Sequence, residues 1–319
     1  DLTPDPVVRT VDAVLAERFG ALRTYAAGPG RAALDRALGA VARYTLGSGA
    51  DGSAAPTAQL LRQEAGAAPA PFNAVWSALA ESLLAAHQSA LRQGLAARLD
   101  DVAGQCRNLI GNRYPFNAGA VGNDVTLGDF ARLFGPDGVF DSFFRRELQP
   151  HIETRQRPWR YRDGQAIAGE SLLRAFERIE DLRRAFFSAG SPLPSLRFSL
   201  RPIEMDLGLE EFLLDVDGQL LRYENGPSVP KSMSWPGPAA AQRVTLRARG
   251  VPGEIHEGPW VLLRVLSREP WQRGAEPGAS RVAVTVGGRR LVLDLRLAGA
   301  GSTAVLAGLS TFRCPEAGP

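Results

Sequence analysis

The sequence predicts an α+β chain: an all-helical N-terminal region to about residue 190, then a small C-terminal all-β, sandwich-like domain over 191–319. Three observations carry this. Apolar residues recur at helical spacing through the first part, the hydrophobic period falls from 3.6 to 2 across Ser188–Pro194, and the second part holds two hairpin signals, Asp217-Gly218 and Gly287-Gly288. A length of 319 residues, 45% hydrophobic and 22% charged, fits two globular domains, 1–190 and 191–319.

Thr3-Pro4-Asp5-Pro6 offers N-cap and first-turn chemistry, and Val7, Val11, Val14, Leu15, Phe19 and Leu22 then follow at helical spacing up to Gly28-Pro29-Gly30. A second helix carries Leu34, Leu38, Val41 and Tyr44 on one face and closes in a small-residue linker from Gly47 to Pro56. From Phe72 the stripe Val75, Leu79, Leu83, Leu91, Leu95, Leu99, Val102, Cys106 and Leu109 predicts one long helix or two nearly collinear ones, with Gly94 and Gly104 as candidate kinks. Pro115 forces Tyr114 toward extended backbone and stops it. Short helices are expected over 126–134 and 137–149, burying Phe130, Leu133, Phe134, Phe140, Phe143, Phe144 and Leu148. A longer one from Gly169 to Phe187 carries Leu172, Leu173, Phe176, Ile179, Leu182 and Phe186.

Beyond the switch, Leu196, Phe198 and Leu200 alternate with polar residues, Glu211 to Leu214 runs into Asp217-Gly218, and Leu220 to Tyr223 returns. Val244, Leu246 and Ala248 make another strand, and Arg281 to Val286 pairs with Leu291 to Leu297 across the second turn. Pro259 to Leu266 suits a short helix, since proline in a first turn costs no hydrogen bond. Gly226 to Gly237 is expected as an exposed loop. Trp235 within it either covers one end of the sandwich or anchors a partner. Because each side of the switch has apolar residues for its own core, 192–319 is expected to fold alone.

Catalysis needs polar groups converging on one point, and this chain is poor in them. His87, His151 and His256 fall in different elements, with no His or Cys spacing that holds a metal. Lys231 sits in Gly226-Pro227-Ser228-Val229-Pro230-Lys231-Ser232, which superficially resembles a phosphate loop, but Pro230 removes a backbone N–H that the phosphates would need. Asp215-Val216-Asp217-Gly218 resembles the start of a calcium loop without its later ligands, and a hairpin turn explains it better. The expectation is no enzyme, no metal and no cofactor. The formal charge is +3, with 37 basic residues of which Lys231 is the one lysine, and the arginines sit beside acids as in Arg145-Arg146-Glu147 and Asp181-Leu182-Arg183-Arg184. That is a solvated, ion-paired face, and a nucleic-acid partner is not expected. No run of eighteen apolar residues is present. The chain opens at Asp1 with no basic leader, so it reads as a fragment whose targeting signal lies elsewhere.

One stretch is denser in information than the rest: Asn112-Arg113-Tyr114-Pro115-Phe116, followed by Asp129-Phe130, Phe134-Gly135-Pro136-Asp137-Gly138, Phe140 and Phe143-Phe144. With Trp159, Gly218 to Tyr223, Ser234-Trp235-Pro236-Gly237, Gly258 to Arg264 and Phe312-Arg313-Cys314-Pro315, it resembles the C-terminal, periplasmic part of the TssM/IcmF family, the inner-membrane scaffold of bacterial type VI secretion. The resemblance covers 100–319, and 1–95 match only as helical sequence. It implies the periplasmic portion of an inner-membrane protein, with membrane and nucleotide-binding-like regions upstream. It further implies a non-catalytic scaffold whose C-terminal β-domain binds the outer-membrane lipoprotein TssJ, with TssL and further TssM copies as partners in the full-length complex. Trp235 and Lys231 are the candidate partner-binding residues. The alternative is an envelope-glycan-binding or hydrolytic module, which needs paired carboxylates, and the adjacent pair Glu210-Glu211 would point to opposite faces in a strand. In the periplasm that the resemblance implies, paired thiols oxidise. Cys106 and Cys314 are therefore either a bridge or, at Cys106, simply a small buried apolar residue.

Overall fold

The computed structural model describes residues 17, 19–46, 54–162, 166–187, 191–298 and 302–316. The expected N-cap at Thr3 and the linker over 47–53 lie outside them. Two compact units divide at Leu95/Ala96. The boundary expected at 190/191 marks a change of secondary structure, and compactness runs across it from Ala96 onward.

The described residues of the first unit are mostly helical, in α1 at Pro29–Leu46, α2 at Ala54–Ala67 and the part up to Leu95 of the long α3, Phe72–Ile110. Ala54, Ala55 and Pro56, expected as linker, open α2, where proline sits in a first turn that has no N–H to lose. Small residues let the helices approach closely: Ala33, Ala58, Leu61 and Ala80 are buried around Trp76. The Trp76 indole N–H donates to the Tyr25 hydroxyl at 2.9 Å, satisfying a polar tip inside an apolar cluster. α3 runs unbroken through Gly94 and Gly104.

In the second unit α4, Leu127–Phe134, is capped by Thr126, whose hydroxyl accepts from the Asp129 N–H at 2.9 Å. The helix expected over 137–149 is instead three short pieces: α5 at Val139–Phe143, a π-helical turn at Phe144–Leu148 and a 3-10 turn at Gln149–His151. Pro150, lacking an N–H, cannot continue an α-helical ladder there. A small hairpin follows, β1 at Ile152–Glu153 and β2 at Arg160–Tyr161. α6, Glu170–Phe186, buries Leu172, Leu173, Phe176, Ile179, Leu182 and Phe186 along one face.

The β part is a sandwich of two antiparallel sheets. Strands β3 (Leu196–Met205), β4 (Phe212–Val216), β5 (Gln219–Tyr223), β6 (Lys231–Trp235), β7 (Arg243–Ala248), β8 (Glu254–Glu257), β9 (Gln272–Arg273), β10 (Ser280–Val286) and β11 (Arg289–Leu297) order as β6-β3-β11-β10-β9 and β5-β4-β7-β8. Alternation does what it predicts: Leu196, Phe198 and Leu200 of β3, Phe212, Leu214 and Val216 of β4, and Val282, Val284 and Val286 of β10 are all buried. The β4–β5 turn needs positive φ at both central residues, and Asp217 (51°) and Gly218 (88°) supply it. α7, Val261–Leu266, follows β8, and α8, Ala304–Ala307, follows β11.

The aromatic motifs of the sequence meet in one cluster. Phe116 stacks on Phe134 at 5.7 Å, Phe130 on Phe134 at 4.7 Å, and Phe312 from the chain end closes on Phe134 at 5.4 Å. Trp260 enters from the sandwich, edge-on to Phe130 at 5.1 Å and to Phe186 at 5.7 Å, and its indole N–H donates to the Val125 carbonyl at 2.6 Å. Beside it the Arg264 guanidinium lies 3.8 Å over the Tyr114 ring and pairs with Asp124. Burial pushes the Tyr114 phenol up to about 12, although Arg264 pulls the other way. Asn112 to Phe116 is thus a folding element, where a helix stop is fixed under a sandwich helix. Cys106 and Cys314, separated by 208 positions, are joined by a disulfide that ties the chain end to α3.

Candidate partner-binding site

The strands β5 and β6 are edge strands of different sheets, and they meet at a seam. Gln219 of β5 closes most of it: its amide nitrogen donates to the Ser234 carbonyl at 2.8 Å, and its amide oxygen accepts from the Ser234 N–H at 2.9 Å. One side chain therefore occupies both backbone groups that Ser234 would otherwise offer to an incoming strand. The Lys231 ammonium donates to the Leu220 carbonyl in the same way. Below the seam the buried Asp217 carboxylate accepts from the Gly237 N–H at 2.8 Å and the Ala241 N–H at 2.9 Å, fixing the loop after β6. These backbone partners occupy the carboxylate that sequence compared with a calcium loop. Removing it in Asp217→Ala takes the partner from the part-buried Gly237 and Ala241 N–H groups and should lower stability by about 1–2 kcal/mol, read by urea unfolding.

What the seam presents to solvent is apolar at its tips. Residues 224–232 are exposed throughout, with Val229 66% and Leu220 46% accessible. The loop is held rather than free: Asn225 Nδ2 donates to the Leu209 carbonyl at 3.1 Å, and the Ser228 hydroxyl donates to the Pro202 carbonyl.

The two candidate residues of the sequence fall at opposite ends of β6. Lys231 is exposed at its start. Trp235, expected in an exposed loop, is on the strand, only 3% accessible, paired opposite Leu196 and donating its indole N–H to the Pro259 carbonyl at 2.9 Å. An amphipathic ring with an apolar body and one donor is satisfied by that position, so it covers the end of the sandwich. Leu220 and Val229 are the residues that sequence reading missed. Val229 lies between Pro227 and Pro230, and Leu220 stands on the exposed face of β5, opposite to that of the buried Leu221.

Groups that could do chemistry are held in ion pairs. Glu210 meets Arg249, and Glu211 meets Arg222 at 2.5 Å, so the adjacent carboxylates serve separate contacts. On β8, Glu254 accepts from the Arg268 guanidinium at 2.9 Å, and His256 Nε2 lies 2.8 Å from the Glu254 carboxylate and 2.7 Å from the same guanidinium. Burial raises the Glu254 carboxyl, but hydrogen bonds from His256 and Arg268 outweigh it and hold the group below the usual carboxylate range. Among the described residues no group of three or more His, Cys, Asp and Glu could hold a metal ion. Nor, among them, is any helix long and apolar enough to cross a membrane.

These features define a helix-buttressed β-sandwich whose accessible face is a seam between edge strands. Residues 198–299 match the Type VI secretion protein IcmF C2-like domain. The type VI secretion system component TssM1 of Pseudomonas aeruginosa is 36% identical over 229 residues, 69% of this chain and 21% of that protein, so the chain spans about a fifth of its length. The solved T6SS protein TssM C-terminal domain from EAEC superposes with TM-score 0.58 at 22% identity, covering 70% of this chain and 97% of that one. A type VI secretion system membrane core complex chain superposes with TM-score 0.68 at 19% identity, covering 99% of this chain and 75% of that one. The chain belongs to the TssM/IcmF family of type VI secretion proteins and corresponds to its C-terminal region.

Proposed function

We propose that this chain is a non-catalytic, periplasmic scaffold segment of the type VI secretion membrane complex, and that its β-domain, over 191–319, binds the outer-membrane lipoprotein TssJ. TssL and further TssM copies are its other proposed partners in the full-length assembly. Family membership supports the complex. The single observation that best supports the docking face is the seam, where Leu220 of β5, Val229 of the connecting loop and Lys231 of β6 are exposed and the loop is held by side-chain hydrogen bonds from Asn225 and Ser228 to backbone carbonyls. Pre-ordered loops lose little conformational entropy on association, and apolar tips beside a cation suit a partner loop better than a small substrate. Gln219 and Lys231 block strand addition, so recognition runs through side chains.

Calorimetry of the full chain with purified lipoprotein tests this. The Leu220→Asp, Val229→Asp double variant should weaken binding by about 2 kcal/mol or more, roughly thirtyfold. Lys231→Glu should weaken it less. No binding by the unmodified chain would overturn the function. Full affinity in the double variant would instead move the interface to another loop. Trp235→Ala is a folding variant and does not report on the interface.

A further inference from the structure

Away from the seam, the β1–β2 hairpin carries Arg155, Arg157, Arg160 and Arg162 within eight residues. Arg157 is engaged, 2.8 Å from Asp181 and 5.9 Å from the centre of the Trp159 ring. Arg155, Arg160 and Arg162 are exposed, and none of them forms an ion pair among the described residues. Arg145, Arg183, Arg222, Arg264 and Arg290 each meet a carboxylate, whereas the hairpin gathers three arginines without an ion pair within eight residues. Glu153 lies opposite Arg160 in the register without pairing with it.

These four arginines line a concavity of about 540 Å³ together with Thr154, Gln156, Pro158 and one carboxylate, Glu153, so basic groups outnumber acidic ones in it four to one. Like charges crowded on a two-stranded hairpin repel one another, and a bound anion removes that cost. Guanidinium forks match phosphate oxygens two at a time, which a lysine cluster would not. The volume is that of a small-molecule site. Trp159 is buried, so it provides no stacking platform for bases, and no large apolar side chain on the hairpin is exposed for insertion into a bilayer. We propose that the hairpin binds a compact polyanion bearing two or more phosphates, held by Arg155, Arg160 and Arg162 with hydrogen bonds from Thr154 and Gln156. Such phosphates come from a lipid headgroup or from a soluble phosphorylated molecule.

Calorimetry of the full chain with inositol hexakisphosphate, repeated across a salt series, measures the site. The variant Arg155→Gln, Arg160→Gln, Arg162→Gln should lose tenfold or more in affinity and flatten the salt dependence. A control that removes equal charge from other exposed positions, Arg247→Gln, Arg273→Gln, Arg289→Gln, should retain wild-type binding. Equal loss in both variants, or no binding by the wild type, would overturn the proposal. Sedimentation with vesicles containing cardiolipin, whose headgroup carries two phosphates, competed by the same probe, assigns the phosphates to a headgroup. Binding of the probe without vesicle binding assigns them to a soluble molecule. Capture of poly-glutamate with no affinity for inositol hexakisphosphate would overturn the phosphate reading in favour of an acidic protein segment.

Discussion

Trp260→Ala should cost the second unit about 3–5 kcal/mol, the range for removing a fully buried large aromatic, with the lost indole hydrogen bond adding to it. Trp260 is 1% accessible, packs against Phe130 and Phe186, and donates to Val125 across a sequence separation of 135. No neighbour of comparable size can fill the space, because Phe130, Phe134 and Phe140 are themselves fully buried in fixed stacks. Trp260→Phe keeps a ring but loses the donor, leaving the Val125 carbonyl unpaired, and should cost about 1–3 kcal/mol. Urea unfolding followed by far-ultraviolet circular dichroism and by near-ultraviolet signal checks both values. If the helices and the sandwich form one cooperative unit, Trp260→Ala lowers both signals at the same midpoint. A cost under about 1 kcal/mol, or a loss confined to the β signal, would show that the sandwich stands without the helices, as expected from sequence for 192–319.

Amphipathic order explains which parts of this architecture were legible in advance. α3, α6, β3, β4, β7, β10 and β11 each repeat apolar residues at their own period over enough positions to be read. β6 does not. Only Met233 and Trp235 of Lys231–Trp235 are buried, and Pro227, Pro230 and Pro236 around it read as loop, which an edge strand tolerates and an interior one does not. The β1–β2 hairpin is two residues deep on each side and has no period at all. The pairing of Trp260 with Phe130 is a long-range packing event, which single-sequence spacing does not encode, so the compact unit crosses the point where the period changes. The candidate site was half legible. Lys231, a candidate from sequence, is exposed at the start of β6, whereas Leu220 and Val229 are exposed apolar residues whose meaning depends on two sheets meeting. Acidic neighbours in sequence point to a solvated, ion-paired face, which Arg145, Arg183 and Arg184 form, whereas Arg155, Arg160 and Arg162 of the hairpin form no ion pair among the described residues.

Reduction of the Cys106–Cys314 bridge should destabilise the second unit by about 5 kcal/mol in the chain-entropy model, since the closed loop is very long. The two cysteines are 208 positions apart, and the bridge attaches the tail carrying Phe312 to the helix that leads into Phe116. Phe312 contacts Phe116, Phe134 and Phe140, so freeing the tail also loosens the aromatic cluster that Trp260 completes. Those contacts remain available without the bridge, and the cost therefore falls mainly on the unfolded chain, which gains the freedom the loop denied it. Cys106→Ala, Cys314→Ala should show the same lowered urea midpoint as the reduced wild type, and adding reductant to the variant should change nothing. Cys106 is fully buried, so the thiol released on reduction sits in an apolar pocket and the fold survives at lower stability. Thiol titration of the denatured, unreduced protein should find no free thiol per chain. Two free thiols, with equal midpoints in the presence and absence of reductant, would remove the bridge from the account of stability and leave the aromatic cluster to hold the tail by itself.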